Sequence, residues 1–370
     1  MKPKILILSA SFGDGHNSAA RHLAEALQES AEPLIADPCD LGNPRINKLL
    51  CRAYREVTTY LPRLWGWVYR STDKQDFSRP LPFIAKTESA VARLLDDFQP
   101  DLVVNTYPLY PYMVDRLLPA QTSPPVVTVI TDSIEVNAAW SRSPSDHFLI
   151  TDHHTRENLL TQKIPAQKIH LTGFPVSPRF EALPTIEPNA PVRPFDILFF
   201  PTARSPHLSD LIKAALRHPD TRITVVLGRN VRRLYRKVHP LKKLFPGRIR
   251  LKGWTRRVPE LLSSHHLVIG KAGGATVHEA IAAQCPMLVH HIVPGQEEGN
   301  IELLSRFQTG SLATSATAIE DAVARLLADD ASLWRAQKER LVHLAKPDAA
   351  RHAADFILSL LPSPPPSSKP

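Results

Sequence analysis

Cysteine is scarce in this chain: three in 370 residues, Cys39, Cys51 and Cys285. An odd, sparse count without ligand spacing excludes a disulfide framework and a structural zinc site, and fits a reducing compartment. Long apolar runs are missing too. No stretch approaches the roughly 18–20 apolar residues that span a bilayer. The run that opens the chain, Ile5 to Leu8, is too short for a secretory signal, and it leads into Gly13-Asp-Gly-His16 rather than a small-residue cleavage site. It reads as the first core strand of a cytoplasmic protein. Acidic side chains form the third deficit, 36 Asp and Glu against 45 Lys and Arg, for a net charge of +9. Such a surplus suits an anionic partner: a nucleotide, a nucleic acid or an acidic lipid. Internal repeats are absent as well.

What is present is a long alternation of short β-rich runs with helical patterns. At 370 residues the chain is comfortable for two domains. Strand candidates are Ile5–Leu8, Leu102–Asn105, Val126–Thr131, Phe148–Thr151, Ile197–Phe200, Ile223–Leu227, Ile249–Leu251, Leu267–Ile269 and Met287–His290. Several are apolar without alternation, as strands covered on both faces are. Alternation with helices predicts parallel sheets in an α/β, doubly wound fold. The first helix is expected over Asn17–Glu29, with Ala20, Leu23, Ala24 and Leu27 on one stripe.

A proline-rich stretch divides the pattern. The expected organisation is a first domain over 1–174, a linker over 175–194, a second domain over 195–345, a helix over 346–361 packing back toward the first domain, and a disordered tail over 362–370. The insert Arg45–Lys86 stands apart. It mixes Tyr54, Tyr60, Trp65, Trp67, Tyr69, Phe77 and Phe83 with Arg45, Lys48, Arg52, Arg55, Arg63, Arg70, Lys74, Arg79 and Lys86. Aromatics among cations suit a bilayer interface with anionic headgroups. The plain alternative is a helical pair with one core face and one solvated face. Nucleic acid ranks below the membrane, and no nucleic-acid partner is expected.

The most informative segment runs from Gly270 to Asn300. A buried strand, Leu267–Ile269, ends in Gly273-Gly274 and then a helical pattern with Val277, Ala280 and Ile281 on one face. Free N–H groups at such a helix start bind anions, a diphosphate above all. Glu279, one turn in, suits a ribose, and Gln296 and Glu297 suit sugar hydroxyls. Together they describe a socket for a nucleotide-sugar. Thr276-Val-His-Glu279 also has the form of a capping box, in which Glu279 holds its own helix start. Arg229, after a strand and Gly228, is placed to pair with phosphate. Gly253-Trp254 can frame a flat base, or Trp254 can be core. Adjacent histidines on a strand point to opposite faces, so His265-His266 and His290-His291 converge on no ion, and no metal site is expected.

In the first half, Ser9-Ala-Ser-Phe-Gly-Asp-Gly-His16 follows the first strand. Gly13 and Gly15 are expected to carry positive φ in a tight turn. His16, with an ordinary pKa near ~6.5, is a candidate general base on an alcohol, or else a surface or capping histidine.

These segments resemble the monogalactosyldiacylglycerol synthase and processive diacylglycerol glucosyltransferase family, relatives of the peptidoglycan enzyme MurG. The resemblance rests on the Ser9–Ala20 loop, Thr131-Asp132 with Trp140, Thr172-Gly-Phe-Pro-Val-Ser-Pro-Arg-Phe180, Val226-Leu-Gly-Arg-Asn230, Gly253-Trp254 through Leu262, and Lys271–Asn300. It implies a GT-B fold, two Rossmann-like domains facing across a cleft. It implies transfer of a hexose from a UDP-sugar to a lipid acceptor, diacylglycerol first, with inversion and without a bound metal or other cofactor. His16 becomes the acceptor base. Gly273, Gly274, Ala275 and Thr276 cradle the diphosphate, Glu279 the ribose, Gln296 and Glu297 the donor sugar. Gly13, Asp14, Gly15 and Asp132 belong to the acceptor loops. The enzyme would lie on the inner face of the plasma membrane.

Two departures from the family pattern stand out. Pro201–His207 has no glycine where a glycine-rich loop is usual, leaving Arg204 as a substitute phosphate contact. Ser133 follows Thr131-Asp132 where histidine is common. Three alternatives follow: a UDP-N-acetylglucosamine transferase acting on another lipid-linked acceptor, a degenerate nucleotide- or membrane-binding relative, and a nucleotide-sugar epimerase.

Overall fold

The computed structural model describes residues 2–79, 84–119, 123–202, 207–228, 231–295 and 297–362. The chain divides into two compact units, one reaching to Pro178 and resuming at Asp348, the other Arg179–Pro347.

The first unit is built on a parallel sheet of six strands: β1 Lys4–Leu8, β2 Glu32–Ala36, β3 Leu102–Asn105, β4 Val126–Val129, β5 His147–Ile150 and β6 Ile169–Leu171. Their order across the sheet is β2-β1-β3-β4-β5-β6. The side-chain period of two explains why β1 reads as an unbroken apolar run. Ile5 and Ile7 face a cluster with Leu23 and Leu27 of the helix Asp14–Leu27, and with Ala353, Ala354 and Ile357 of the helix Ala349–Ser359. Leu6 and Leu8 face the opposite cluster, with Val91, Leu95, Tyr110 and Met113.

The second unit repeats the plan with β7 Phe195–Phe199, β8 Thr221–Val226, β9 Ile249–Lys252, β10 Leu267–Lys271, β11 Met287–His291 and β12 Gly310–Leu312. The order is β12-β11-β10-β7-β8-β9, again all parallel. One large cluster joins Ile197, Phe199, Ile223 and Ile269 to Leu208, Leu211, Trp334 and their neighbours. The indole of Trp334 donates to the carbonyl of His266 at 2.7 Å. Within the proline-rich stretch, Val192 is buried in this cluster, and Arg335 donates to the carbonyls of Pro188 and Ala190.

The expected strands are present, with ends shifted by a residue or two. The sequence reading missed β2, β6 and β12, which all lie at sheet edges. The first helix spans Asp14–Leu27 rather than Asn17–Glu29, so Gly15 and His16 lie in its first turn. No helix among the described residues is long and apolar enough to cross a membrane.

Candidate functional site

Each sheet has one place where the strand order reverses, and the carboxyl-end loops there open a crevice that collects ligands in folds of this kind. In the second unit that place lies between β7 and β10. β10 runs into Lys271-Ala272-Gly273, and the helix Gly274–Ala282 follows with Gly273 as its cap. The first helical bond joins Val277 N–H to the Gly273 carbonyl at 3.0 Å. The N–H groups of Gly274, Ala275 and Thr276 therefore precede the helical ladder, the arrangement found where helix starts hold anions. This corrects the capping-box reading. The helix starts two residues before Thr276 and has no side-chain cap, so Thr276 is a first-turn residue. Glu279 lies half-buried in the second turn.

The residues around this turn are a finding of the structure. Lys271 Nζ lies 2.7 Å from Glu297 Oε1, and the Glu297 side chain is only 6% exposed. The other oxygen, Oε2, accepts the Val293 N–H at 2.9 Å. His291 stands in the same field. Burial lowers its pKa, the Glu297 charge raises it and the Lys271 charge lowers it. Asn300 donates from Nδ2 to the Ala272 carbonyl at 2.9 Å, while its buried Oδ1 has no partner among the described residues. Lys271 escaped sequence reasoning because nothing local marks it: its partner is distant in the chain.

Gly253 and Trp254 follow the edge strand β9. Trp254 is 53% exposed beside the Arg256 guanidinium, 5.6 Å from the ring centroid, so the core alternative is excluded. Arg229, Gln296 and Arg204 lie outside the described residues. The paired histidines bond elsewhere: His265 to Thr224 and Leu261, His266 to Asp196 and Pro191, His290 to Phe200. Among the described residues no group of three or more His, Cys, Asp or Glu is arranged to hold a metal ion.

In the first unit the order reverses between β1 and β3. The loop after β1 ends at Gly13, whose φ of 99° and ψ of 164° are open only to glycine without strain. Gly15, expected to share a positive φ, does not, because it is the second residue of the helix. A Cβ there meets nothing within 4 Å, so open space adjoins this turn. Asp14 begins the helix, its acidic side chain in the favourable first turn.

His16 is neither a surface nor a capping residue. It is 8% exposed, with Nδ1 3.1 Å from Thr131 Oγ1. Its ring packs edge-on against Tyr107 at 5.3 Å and tilts against Trp140 at 5.9 Å. Burial pushes its pKa down to about 4, against a backbone hydrogen bond to Thr106 that favours the charged form. The ordinary value assumed from sequence is thus corrected: the imidazole is neutral at neutral pH, and the burial that keeps it so also makes it a weaker base than a free histidine. Thr106 follows β3, so this bond fixes the ring at the reversal point.

Asp132 lies one residue beyond Thr131. Its Oδ2 accepts from Trp140 Nε1 at 2.9 Å and from the Tyr69 hydroxyl at 3.1 Å. Burial pushes the carboxyl up to about 6, against those two donors. Asn105, at the end of β3, is fully buried with neither side-chain polar atom partnered among the described residues.

The insert forms the helices Pro44–Tyr60 and Pro62–Ser71. Their buried residues are Asn47, Thr58 and Gly66, none of them large and apolar. Leu49 is 64% exposed, Leu61 54%, Leu64 48% and Trp67 65%, with Lys48, Arg52, Arg63 and Arg70 exposed among them. The pair does have a packed face, with Tyr54 against Trp65 and Tyr69 bonded to Asp132, but its other face is apolar as well as cationic. Phe83 lies outside the described residues.

Comparison with known proteins gives a consistent picture. Residues 16–176 match the family model for monogalactosyldiacylglycerol (MGDG) synthase. Over 371 residues the chain is 25% identical to a processive diacylglycerol beta-glucosyltransferase of Bacillus cereus strain AH820, covering 96% of this chain and 94% of the relative. Among solved structures, Acinetobacter baumannii MurG superposes with a TM-score of 0.62 at 17% identity, covering 97% of this chain and all of MurG. S. aureus MnaA, solved with UDP, superposes with a TM-score of 0.61 at 14% identity and 99% coverage of both chains. The resemblance read from the motifs holds, and the fold is GT-B.

Proposed function

We propose that this protein is an inverting glycosyltransferase that moves a hexose from a UDP-sugar to a lipid acceptor, diacylglycerol first, at the cytoplasmic face of the membrane. The observation that carries the reading is the anion-binding turn Gly274–Thr276 at the reversal point of the second sheet, in a chain whose relatives are named as diacylglycerol glucosyltransferases.

In this reading the diphosphate sits on the N–H groups of Gly274, Ala275 and Thr276, with Gly273 as the cap that presents them. Glu279 takes the ribose, Gly253-Trp254 frame the base, Arg229 adds a phosphate contact, and the loop carrying Gln296 takes the hexose. The acceptor hydroxyl attacks the anomeric carbon from the face opposite the leaving group. The carbon–oxygen bond to the β-phosphate breaks, UDP departs, and the configuration inverts. His16 takes the proton of the hydroxyl, and the helix-start N–H groups meet the charge that grows on UDP. His16 is neutral at physiological pH, as a base must be, and the burial that lowers its pKa also lowers its basicity. Gly13, Asp14, Gly15 and Asp132 shape the acceptor side. No metal is assigned a role.

The helices Pro44–Tyr60 and Pro62–Ser71 meet the membrane, sinking Leu49, Leu64 and Trp67 below the headgroups while neighbouring cations face anionic lipid. The test is UDP release with labelled UDP-glucose, UDP-galactose and UDP-N-acetylglucosamine, with and without vesicles containing diacylglycerol or membrane-extract lipids, followed by mass spectrometry of the lipids and chromatography of the recovered nucleotide-sugar. Acceptor-dependent UDP release with a hexosyl-diacylglycerol product supports the reading. A donor recovered with altered sugar stereochemistry but still joined to UDP favours the epimerase, transfer from UDP-N-acetylglucosamine to another lipid alone favours the N-acetylglucosaminyl-type alternative, and no turnover of any donor favours the degenerate one.

A further inference from the structure

Gly273 has φ −68° and ψ 138°, an extended conformation that any L-residue adopts. Its lack of a side chain answers a need for space instead. A Cβ there would stand 3.0 Å from Lys271 Cε and 3.6 Å from Glu297 Oε1. The lysine thus passes close beside Gly273, the cap of the turn whose next three N–H groups precede the helical ladder. At its far end it meets a carboxylate that is buried, and that carboxylate is held a second time by the Val293 N–H. A buried carboxylate is stable as an anion only when paired. The Lys271 side chain is 41% exposed, so its ammonium remains approachable from solvent. A helix start supplies about half a positive charge, and an ammonium beside it carries three N–H donors, of which Glu297 Oε1 takes one.

Resting on the donor-site reading above, we propose that Lys271 is the cation that meets the donor diphosphate. Glu297 is its buried counter-ion and a positioning residue, and it does not read the sugar hydroxyls. The pair sets the ammonium beside the N–H groups before the donor arrives, so that little side-chain ordering remains to be done on binding. Glycine at 273 leaves room for this passage. Asn300 completes the frame by tying the Ala272 carbonyl from the same helix as Glu297, Glu298–Arg306 with its cap.

The test is calorimetric titration of UDP, UDP-glucose and uridine into the full-length wild type, Lys271→Met, Lys271→Arg and Glu297→Gln, with melting temperatures recorded without ligand. Lys271→Met should weaken UDP and UDP-glucose by the same factor, about tenfold or more, with uridine within about twofold, and should lower the melting temperature because it leaves buried Glu297 unpaired. Lys271→Arg should restore most of the affinity. Glu297→Gln should weaken UDP and UDP-glucose equally. Should Glu297→Gln not fold, Gly273→Ala serves in its place: it presses on Lys271 and should weaken UDP with the fold intact. UDP binding to Lys271→Met within about twofold of wild type overturns the inference alone. So does a Glu297→Gln, or Gly273→Ala, defect confined to UDP-glucose. A wild type that binds no UDP overturns the donor-site reading and this inference together.

Discussion

The two units carry the same device at the same topological place and use it in opposite ways. In each, a parallel sheet reverses its strand order, and the loop there enters a helix through a glycine. In the first unit the glycine is required by backbone angle, and the side chain that follows, His16, is buried and neutral. In the second the glycine leaves space that a Cβ would press on, and the side chain beside it, Lys271, is partly exposed. In the proposed function one turn would move a proton in a low-dielectric setting and the other would hold a multiply charged anion. Shared architecture therefore says little about which chemistry a crevice performs; burial and charge at its rim decide that.

The sharpest way to break the comparison is His16→Ala. Loss of a general base should lower kcat roughly 10²-fold or more and leave UDP affinity within about twofold. Equal turnover in the mutant removes His16 from the mechanism. The mirror experiment is Lys271→Met, which should act on UDP affinity first.

Next in size is the membrane contact, which only the first unit is assigned. Replacing Leu49, Leu64 and Trp67 together by serine should reduce partition onto anionic vesicles by about tenfold or more, since each removed side chain contributes about 1–3 kcal/mol when buried. Soluble UDP binding should not change. Unchanged sedimentation with vesicles would mean that another surface meets the lipid.

The two glycines offer a smaller and cleaner contrast. Gly13→Ala forces an L-residue into a region open essentially to glycine alone and should cost about 1–3 kcal/mol of stability, read by denaturant melts. Gly273→Ala has no such backbone penalty and should show its effect in UDP affinity. Equal stability losses would contradict the distinction.

The last contrast is in pH. His16 and His22 in the first unit and His290 in the second are all pushed down to about 4 by burial. Between about pH 6.5 and 4 the unfolded chain binds protons that the folded chain does not. The stability these histidines confer is full above about 6.5 and is lost as pH falls through about 4. Asp132, pushed up to about 6, acts in the reverse sense: its contribution is full below its ordinary carboxylate range and is lost as pH rises through about 6. Calorimetric melts from pH 8 to 4 should show Tm falling with acid. His16→Gln should flatten that fall, and Asp132→Asn should steepen it.

Much of this architecture was legible in the sequence because central strands are buried on both faces and read as plain apolar runs, as Ile5–Leu8 and Leu267–Ile269 do. The edge strands β2, β6 and β12 carry no such signal. β2 contains Glu32 and Pro33 and is largely exposed, and β12 is three residues long. The turn at Gly273-Gly274 was visible because glycines, strand and helix are contiguous. The Lys271–Glu297 pair and the burial of His16 were not, since both depend on segments brought together only by the sheet. For the same reason the true helix start at Gly274 displaced the capping box that the local pattern suggested.

The most direct test of the central claim is a crystal structure of the protein with UDP. The account predicts a diphosphate oxygen within about 3 Å of the N–H groups of Gly274–Thr276, with the Lys271 ammonium in contact. UDP bound away from that turn would contradict it.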